Sequence, residues 1–166
     1  MNNFDDIVAQ AAAAIAPEYF LLPVHGADAV YRERVYCYEL YHQLRSLWPE
    51  DCAYFLNGEI DKQQHPYFEG NRYPKPDFLV HVPGTGNNFA AIEVKPPGAS
   101  GKNIQKDIGT LLQFRQWYER SLYLIYGVRP HEALNRVTSY AESAEQLAAI
   151  EVWVHQEAGM PAERIA

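Results

Sequence analysis

Two apolar runs joined by a glycine-rich turn constrain this chain more than any other feature. Asp77-Phe78-Leu79-Val80-His81-Val82 reads as a strand entered through Pro76, whose missing N–H is tolerated where a strand begins. Pro83-Gly84-Thr85-Gly86-Asn87-Asn88 reads as a tight turn, so Phe89 to Lys95 should return antiparallel as the second arm of a hairpin. Side chains alternate along a strand, which puts Glu93 and Lys95 on one face. Asp77 begins one arm where Glu93 and Lys95 end the other. The hairpin is therefore expected to bring two carboxylates and an ammonium together at a sheet edge, beside two loops.

The pair Glu93 and Lys95 alone would suit an exposed strand whose charges pair in solvent. Its flanks, Ala90-Ala91-Ile92 and Val94, are apolar, and that context favours a buried site. Converging carboxylates are hard oxygen donors, the kind that hold Mg²⁺ together with waters and substrate phosphate oxygens. An ion there would lower the pKa of a bound water and offset charge on a transferring phosphate, and Lys95 could position that water or neutralise the phosphate oxygens.

Around the hairpin the chain reads as alternating elements. Residues 1–22 read as a leading helix ending near Pro17 or Pro23. His25-Gly26-Ala27-Asp28 is a turn whose Asp28 is placed to cap a helix from about Ala29 to Trp48, with Leu40, Leu44 and Leu47 on one side. Ala53 to Ile60 reads as a strand and Asp61 to Lys75 as a polar loop. After Lys95 come a helix from Asn103 to Arg120, an apolar strand from Ser121 to Gly127, a helix from His131 to Ala149 and a strand from Glu151 to His155. That order predicts a mixed sheet with helices on both faces, in one domain at this length.

Pro76-Asp77 followed by Glu93-Val94-Lys95 resembles the PD-(D/E)XK signature of the restriction-endonuclease-like superfamily. The order helix, three strands, helix, strand resembles that superfamily's common core over about Ala29 to Gly127. The resemblance implies an αβββαβ core, with Asp77 and Glu93 as Mg²⁺ ligands and Lys95 assisting hydrolysis. It also implies an acid from the first core helix. Stepping about 100° per residue, Glu33 falls on the face of Leu40 and Leu44, whereas Glu39 points nearly opposite, so Glu33 is the expected third ligand. Alternatively, Glu33 is a buried partner of Arg32 or Arg34.

Secondary candidates surround these four. Glu59 reads as a further ligand, as a group holding Lys95, or as a plain strand-end charge; Asp61 would share its face. Lys102, Gln105 and Lys106 stand at a helix start, where a phosphate is well placed, and the resemblance points to Lys106 or Gln113 as facing the site. Asp107 reads as pairing with a neighbour. His81 reads as a structural histidine before a general base. Pro83-Gly84-Thr85-Gly86 is no phosphate loop, because no Gly-Lys-Ser/Thr follows it.

The balance of charge cuts across the favoured chemistry. A formal net charge of −7 argues against a free-standing duplex-binding protein, which would carry a basic footprint. Cys37 and Cys52 show no zinc spacing and read as reduced thiols, and the Ala11–Ala16 run is too short for a membrane span. The expectation is a cytoplasmic protein with no membrane partner. Its resemblance implies a Mg²⁺-dependent nuclease (Mn²⁺ substituting), acting on DNA first, with bacterial defence as the setting suggested by family analogy; small size and acidic charge point to binding help from a homodimer or a larger protein partner. A catalytically inactive nuclease-fold subunit is the alternative, and a small-nucleotide hydrolase or binding module is a third.

Overall fold

The computed structural model describes residues 1, 3–59 and 74–166 of the chain. It opens with α1 (Phe4–Ala13) and α2 (Pro17–Phe20), then a small hairpin of β1 (Leu22–Val24) and β2 (Ala27–Val30), then α3 (Glu33–Ser46). An antiparallel meander follows: β3 (Phe55–Gly58), β4 (Phe78–His81) and β5 (Asn88–Lys95). α4 (Gly101–Arg115) crosses over to β6 (Arg120–Tyr126), which lies parallel to β5. α5 (Pro130–Tyr140) and α6 (Ala144–Ala148) lead to a second parallel strand, β7 (Glu151–His155), and β8 (Glu163–Arg164) closes the edge antiparallel.

These strands form one six-stranded mixed sheet in the order β3-β4-β5-β6-β7-β8. All eight residues of β5 are buried, as expected of a central strand covered on both faces. Alternation divides the core cleanly. Phe78, Val80, Ala90, Ile92 and Val94 pack with α1 and α3. Leu79, Ala91, Tyr123 and Ile125 pack with Ile104, Ile108 and Leu111 of α4 and with Ala133 and Val137 of α5. The chain is thus a mixed α/β protein with helices on both faces of its sheet.

Several expected elements differ in detail. The leading helix is two, α1 ending at Ala13 and Pro17 starting α2, and Asp28 lies in β2 instead of capping a helix; Arg32 occupies the N-cap position of α3. Gly26, at φ +74°, makes the turn that folds Leu22–Val24 back on Ala27–Val30. The helix expected over His131–Ala149 is two, because the Ser143 side chain accepts from the Gln146 N–H at 3.2 Å and starts a new one. Asp77, Glu93 and Lys95 do not stand at a sheet edge, since β4 and β5 are interior strands. Ile60 and Asp61 lie outside the described residues. No helix among the described residues is long and apolar enough to cross a membrane.

Candidate active site

The register of the central hairpin positions the acids. Phe78 pairs with Ile92, and continuing that register sets Asp77 opposite Glu93. Asp77 Oδ2 accepts a hydrogen bond from the Val94 N–H at 2.7 Å, which locks the carboxyl against β5. The Asp77 and Glu93 carboxyls are therefore electrostatic neighbours, each acting on the other's ionisation.

Burial makes this pairing costly in its charged form. It pushes Asp77 up to about 6, against the pull of Lys95 and the Val94 N–H. Burial, then repulsion from Asp77 and Asp107, holds Glu93 well above the usual carboxylate range. Glu93 is only 5% exposed, Lys95 9% and Asp107 5%.

Lys95 is held from two sides. Its Nζ lies 2.9 Å from Glu33 Oε1 and 3.5 Å from Asp107 Oδ2. Burial works against the ammonium, but Asp107, Asp77 and Glu33 outweigh it and raise its pKa above the ordinary lysine value. Lys95 is therefore a fixed cation at neutral pH. The α4 carboxyl of Asp107 is itself pushed up to about 6, by burial first, with Lys95 opposing. Its Oδ2 faces Lys95 without hydrogen-bond geometry.

Asp107 is the member that sequence reasoning left out of the site. It pairs, but with Lys95 across the sheet face and not with a neighbour on its helix. The signal was present: Asp107 stands three residues after Ile104 and four before Leu111, inside the apolar stripe of α4. The phase reasoning applied to Glu33 would have found it. Tyr123, whose spacing reads as strand core, is indeed packed inside. It sits opposite Glu93 in the parallel register, fully buried, and its hydroxyl has no hydrogen-bond partner among the described residues.

The remaining candidates lie elsewhere. Glu59 pairs with Lys75 at 3.0 Å and Arg34 at 3.9 Å, so it does not hold Lys95. Lys106 and Gln113 are exposed on the turns of α4 that face away from the buried stripe, because helical phase sends Asp107 inward instead. His81 stands at the far end of β4 and bonds Asn57 Oδ1 at 2.9 Å, which fits a structural role. Glu39 is half-buried and accepts from Gln43 one turn on, away from Lys95.

Does this donor set fit a divalent cation? Glu33, Asp77, Glu93 and Asp107 gather near a single ammonium, a surplus of carboxylate over cation. A divalent ion beside Asp77 and Glu93 would offset that surplus, and Mg²⁺ takes one or two carboxylates with the rest of its shell from water and phosphate. Among the described residues no three His, Cys, Asp or Glu side chains converge as a complete ligand set, and Glu33 is turned to Lys95. Asp77 and Glu93 are thus the two carboxylates that this cluster could offer such an ion.

No family model, curated protein or solved structure matches this chain.

Proposed function

We propose that this α/β protein is a Mg²⁺-dependent nuclease that hydrolyses phosphodiester bonds of nucleic acid, DNA in the first instance, on a restriction-endonuclease-like version of its fold. One observation carries the reading: Asp77 and Glu93 are forced together at the end of an interior hairpin, next to a buried lysine that is kept charged. A protein interior does not crowd carboxyl groups in this way for stability. It does so where charge is to be used.

In this reading Asp77 and Glu93 would hold the ion, with Glu33 joining them only if it leaves Lys95. When bound, Mg²⁺ supplies an acidified water and neutralises charge on the phosphate. Lys95 donates its N–H groups to the anionic oxygens of the phosphate or aligns the attacking water. With its pKa raised it cannot serve as the base. Glu33 and Asp107 orient that ammonium from opposite sides, so that it needs little rearrangement during reaction.

A second reading is a nuclease-fold subunit that does not cut. It is favoured by the ion pairs of Lys95 with Glu33 and Asp107, which engage the ammonium without substrate, and by the net charge of −7. In either reading a homodimer or a larger partner would supply much of the target binding.

Calorimetric titration with Mg²⁺ and Mn²⁺, followed by incubation with single- and double-stranded DNA and RNA, separates the two. The nuclease reading expects saturable binding that Asp77→Ala removes, and cutting that Lys95→Ala removes. Binding unchanged in Asp77→Ala would end the metal assignment. Metal binding with no cutting of any substrate would favour the non-cutting subunit.

A further inference from the structure

Beside the acid pair lies a cavity of about 320 Å³, between α3 and the adjoining ends of β3 and β4. Asp77 forms part of its wall, so cavity and acid pair are contiguous. Three aromatic residues, Tyr38, Tyr41 and Phe78, also line it. Tyr41 and Phe78 lie nearly parallel, with ring centroids 6.2 Å apart and an interplanar angle of 20°. The Tyr41 hydroxyl donates to the Leu56 carbonyl at 3.4 Å, which fixes that ring.

Tyr38 lines the same cavity and behaves differently. It is 63% exposed, the most of any exposed large hydrophobic side chain among the described residues, while Cys37 beside it is buried. Packing does not account for an aromatic face left in solvent at the mouth of an apolar cavity.

The rim adds charge of both signs. Glu59 lines the cavity from a left-handed backbone conformation, φ 46°, uncommon for a residue with a side chain. Its carboxylate bridges Lys75 and Arg34, two cations whose side chains are 46% and 73% exposed. Aromatic faces, an acceptor for N–H groups and a pair of exposed cations therefore meet within reach of Asp77. Those are the complements of a base ring, its exocyclic amine and a backbone phosphate.

We infer that this cavity takes one unstacked nucleobase of a single strand, next to the phosphate at the acid pair, with Arg34 and Lys75 on a flanking phosphate. The proposal rests on the nuclease reading for the identity of that neighbouring phosphate. It names the substrate class: single-stranded nucleic acid, or a frayed end, since a base within a duplex has both faces covered. It also bears on the net charge of −7. Duplex binding draws its affinity from many phosphate contacts, whereas stacking tolerates a protein of the same sign as its ligand.

The probe is a short single-stranded oligodeoxynucleotide carrying one 2-aminopurine, mixed with the full chain in EDTA so that binding is read without cutting. Fluorescence should fall as the base stacks. Tyr38→Ala should weaken binding roughly tenfold and abolish the quench, since losing one stacking aromatic has about that effect. Tyr38→Phe, which keeps the ring, should bind as the parent does. Circular dichroism of both variants should match the parent, because Tyr38 is exposed. The same sequence as RNA shows whether the sugar matters, and the duplex form should compete poorly.

Equal binding by parent and Tyr38→Ala, a duplex that binds as tightly as the single strand, or no binding at all would overturn the proposal. A parallel cleavage assay with Mg²⁺ separates the two ideas. Duplex cutting indifferent to Tyr38→Ala removes the base pocket and keeps the nuclease. Tyr38-dependent binding with no cutting of any substrate does the reverse.

Discussion

At the C-terminal ends of its parallel strands the protein buries polar groups twice, once on each face of the sheet, and α3 contributes to both. On the α1/α3 face, Tyr36 stacks on Tyr126 with centroids 3.9 Å apart, and its hydroxyl is hydrogen-bonded to His155 Nδ1 at 2.8 Å. Phe20 meets Tyr126 and His155 edge-on, at 5.6 and 4.8 Å. Burial lowers the His155 pKa to about 4 and raises that of Tyr36, so every member is neutral at neutral pH. On the α4 face, Glu93, Lys95 and Asp107 are about as deeply buried, yet charge remains: acids outnumber the one cation. Depth of burial is similar in the two clusters. What differs is whether the fold has let the groups become neutral, and the proposed nuclease reading draws on that difference.

The largest expected effect comes from breaking the charged cluster. Lys95→Ala leaves Glu33 and Asp107 facing each other and the acid pair with no cation, and it should cost about 3–5 kcal/mol in denaturant unfolding at neutral pH. A variant as stable as the parent would mean that the ion pairs are loose and solvated, and the contrast between the clusters would fail.

Acid titration should pull the two clusters in opposite directions. The unfolded chain protonates His155 near 6.5, whereas the folded protein resists until about 4. Its contribution is complete above about 6.5 and is lost as the pH falls toward about 4, an effect of about 3 kcal/mol. For Asp77 and Asp107, folded values of about 6 lie above the ordinary aspartate value of 3.8. Their contribution is present below about 3.8 and is lost as the pH rises through about 6. Thermal melts across this window should show a flatter acid limb for His155→Gln. Asp77→Asn should melt higher than the parent at neutral pH, by an amount worth about 1–3 kcal/mol. Shifts of the same sign in both variants would show that the two clusters are not electrostatically distinct.

The smallest effect is expected outside both clusters. Lys106→Ala and Gln113→Ala, on the exposed side of α4, should change stability by under about 0.5 kcal/mol and leave any cutting intact. A large loss of cutting in either would extend the site along that helix.

Much of this arrangement was legible residue by residue. The turn at Pro83–Asn88 announced the hairpin, strand alternation paired Glu93 with Lys95, and helical phase chose Glu33 over Glu39, whose carboxyl is taken up by Gln43. The same tools stumbled where a local signal was shared between structures. Asp28 is a good helix cap and also an ordinary turn-proximal residue, and the pairing of Leu22–Val24 with Ala27–Val30 gave it to a strand. Glu59 could be placed at the end of its strand but not aimed, because its direction depends on where Lys75 and Arg34 come to lie.

Sequence alone determined the periodic features: which residues share a face, which runs are buried, and that Asp77, Glu93 and Lys95 would meet. These follow from backbone geometry, which repeats over a few residues and needs no knowledge of distant segments. Tertiary structure decided what those three residues meet. Packing α4 across β5 brought Asp107 to Lys95, and the approach of α3 from the opposite face brought Glu33. Burial by both helices then raised the carboxyl pKa values, an effect of enclosure by segments far apart in the chain that no local pattern encodes.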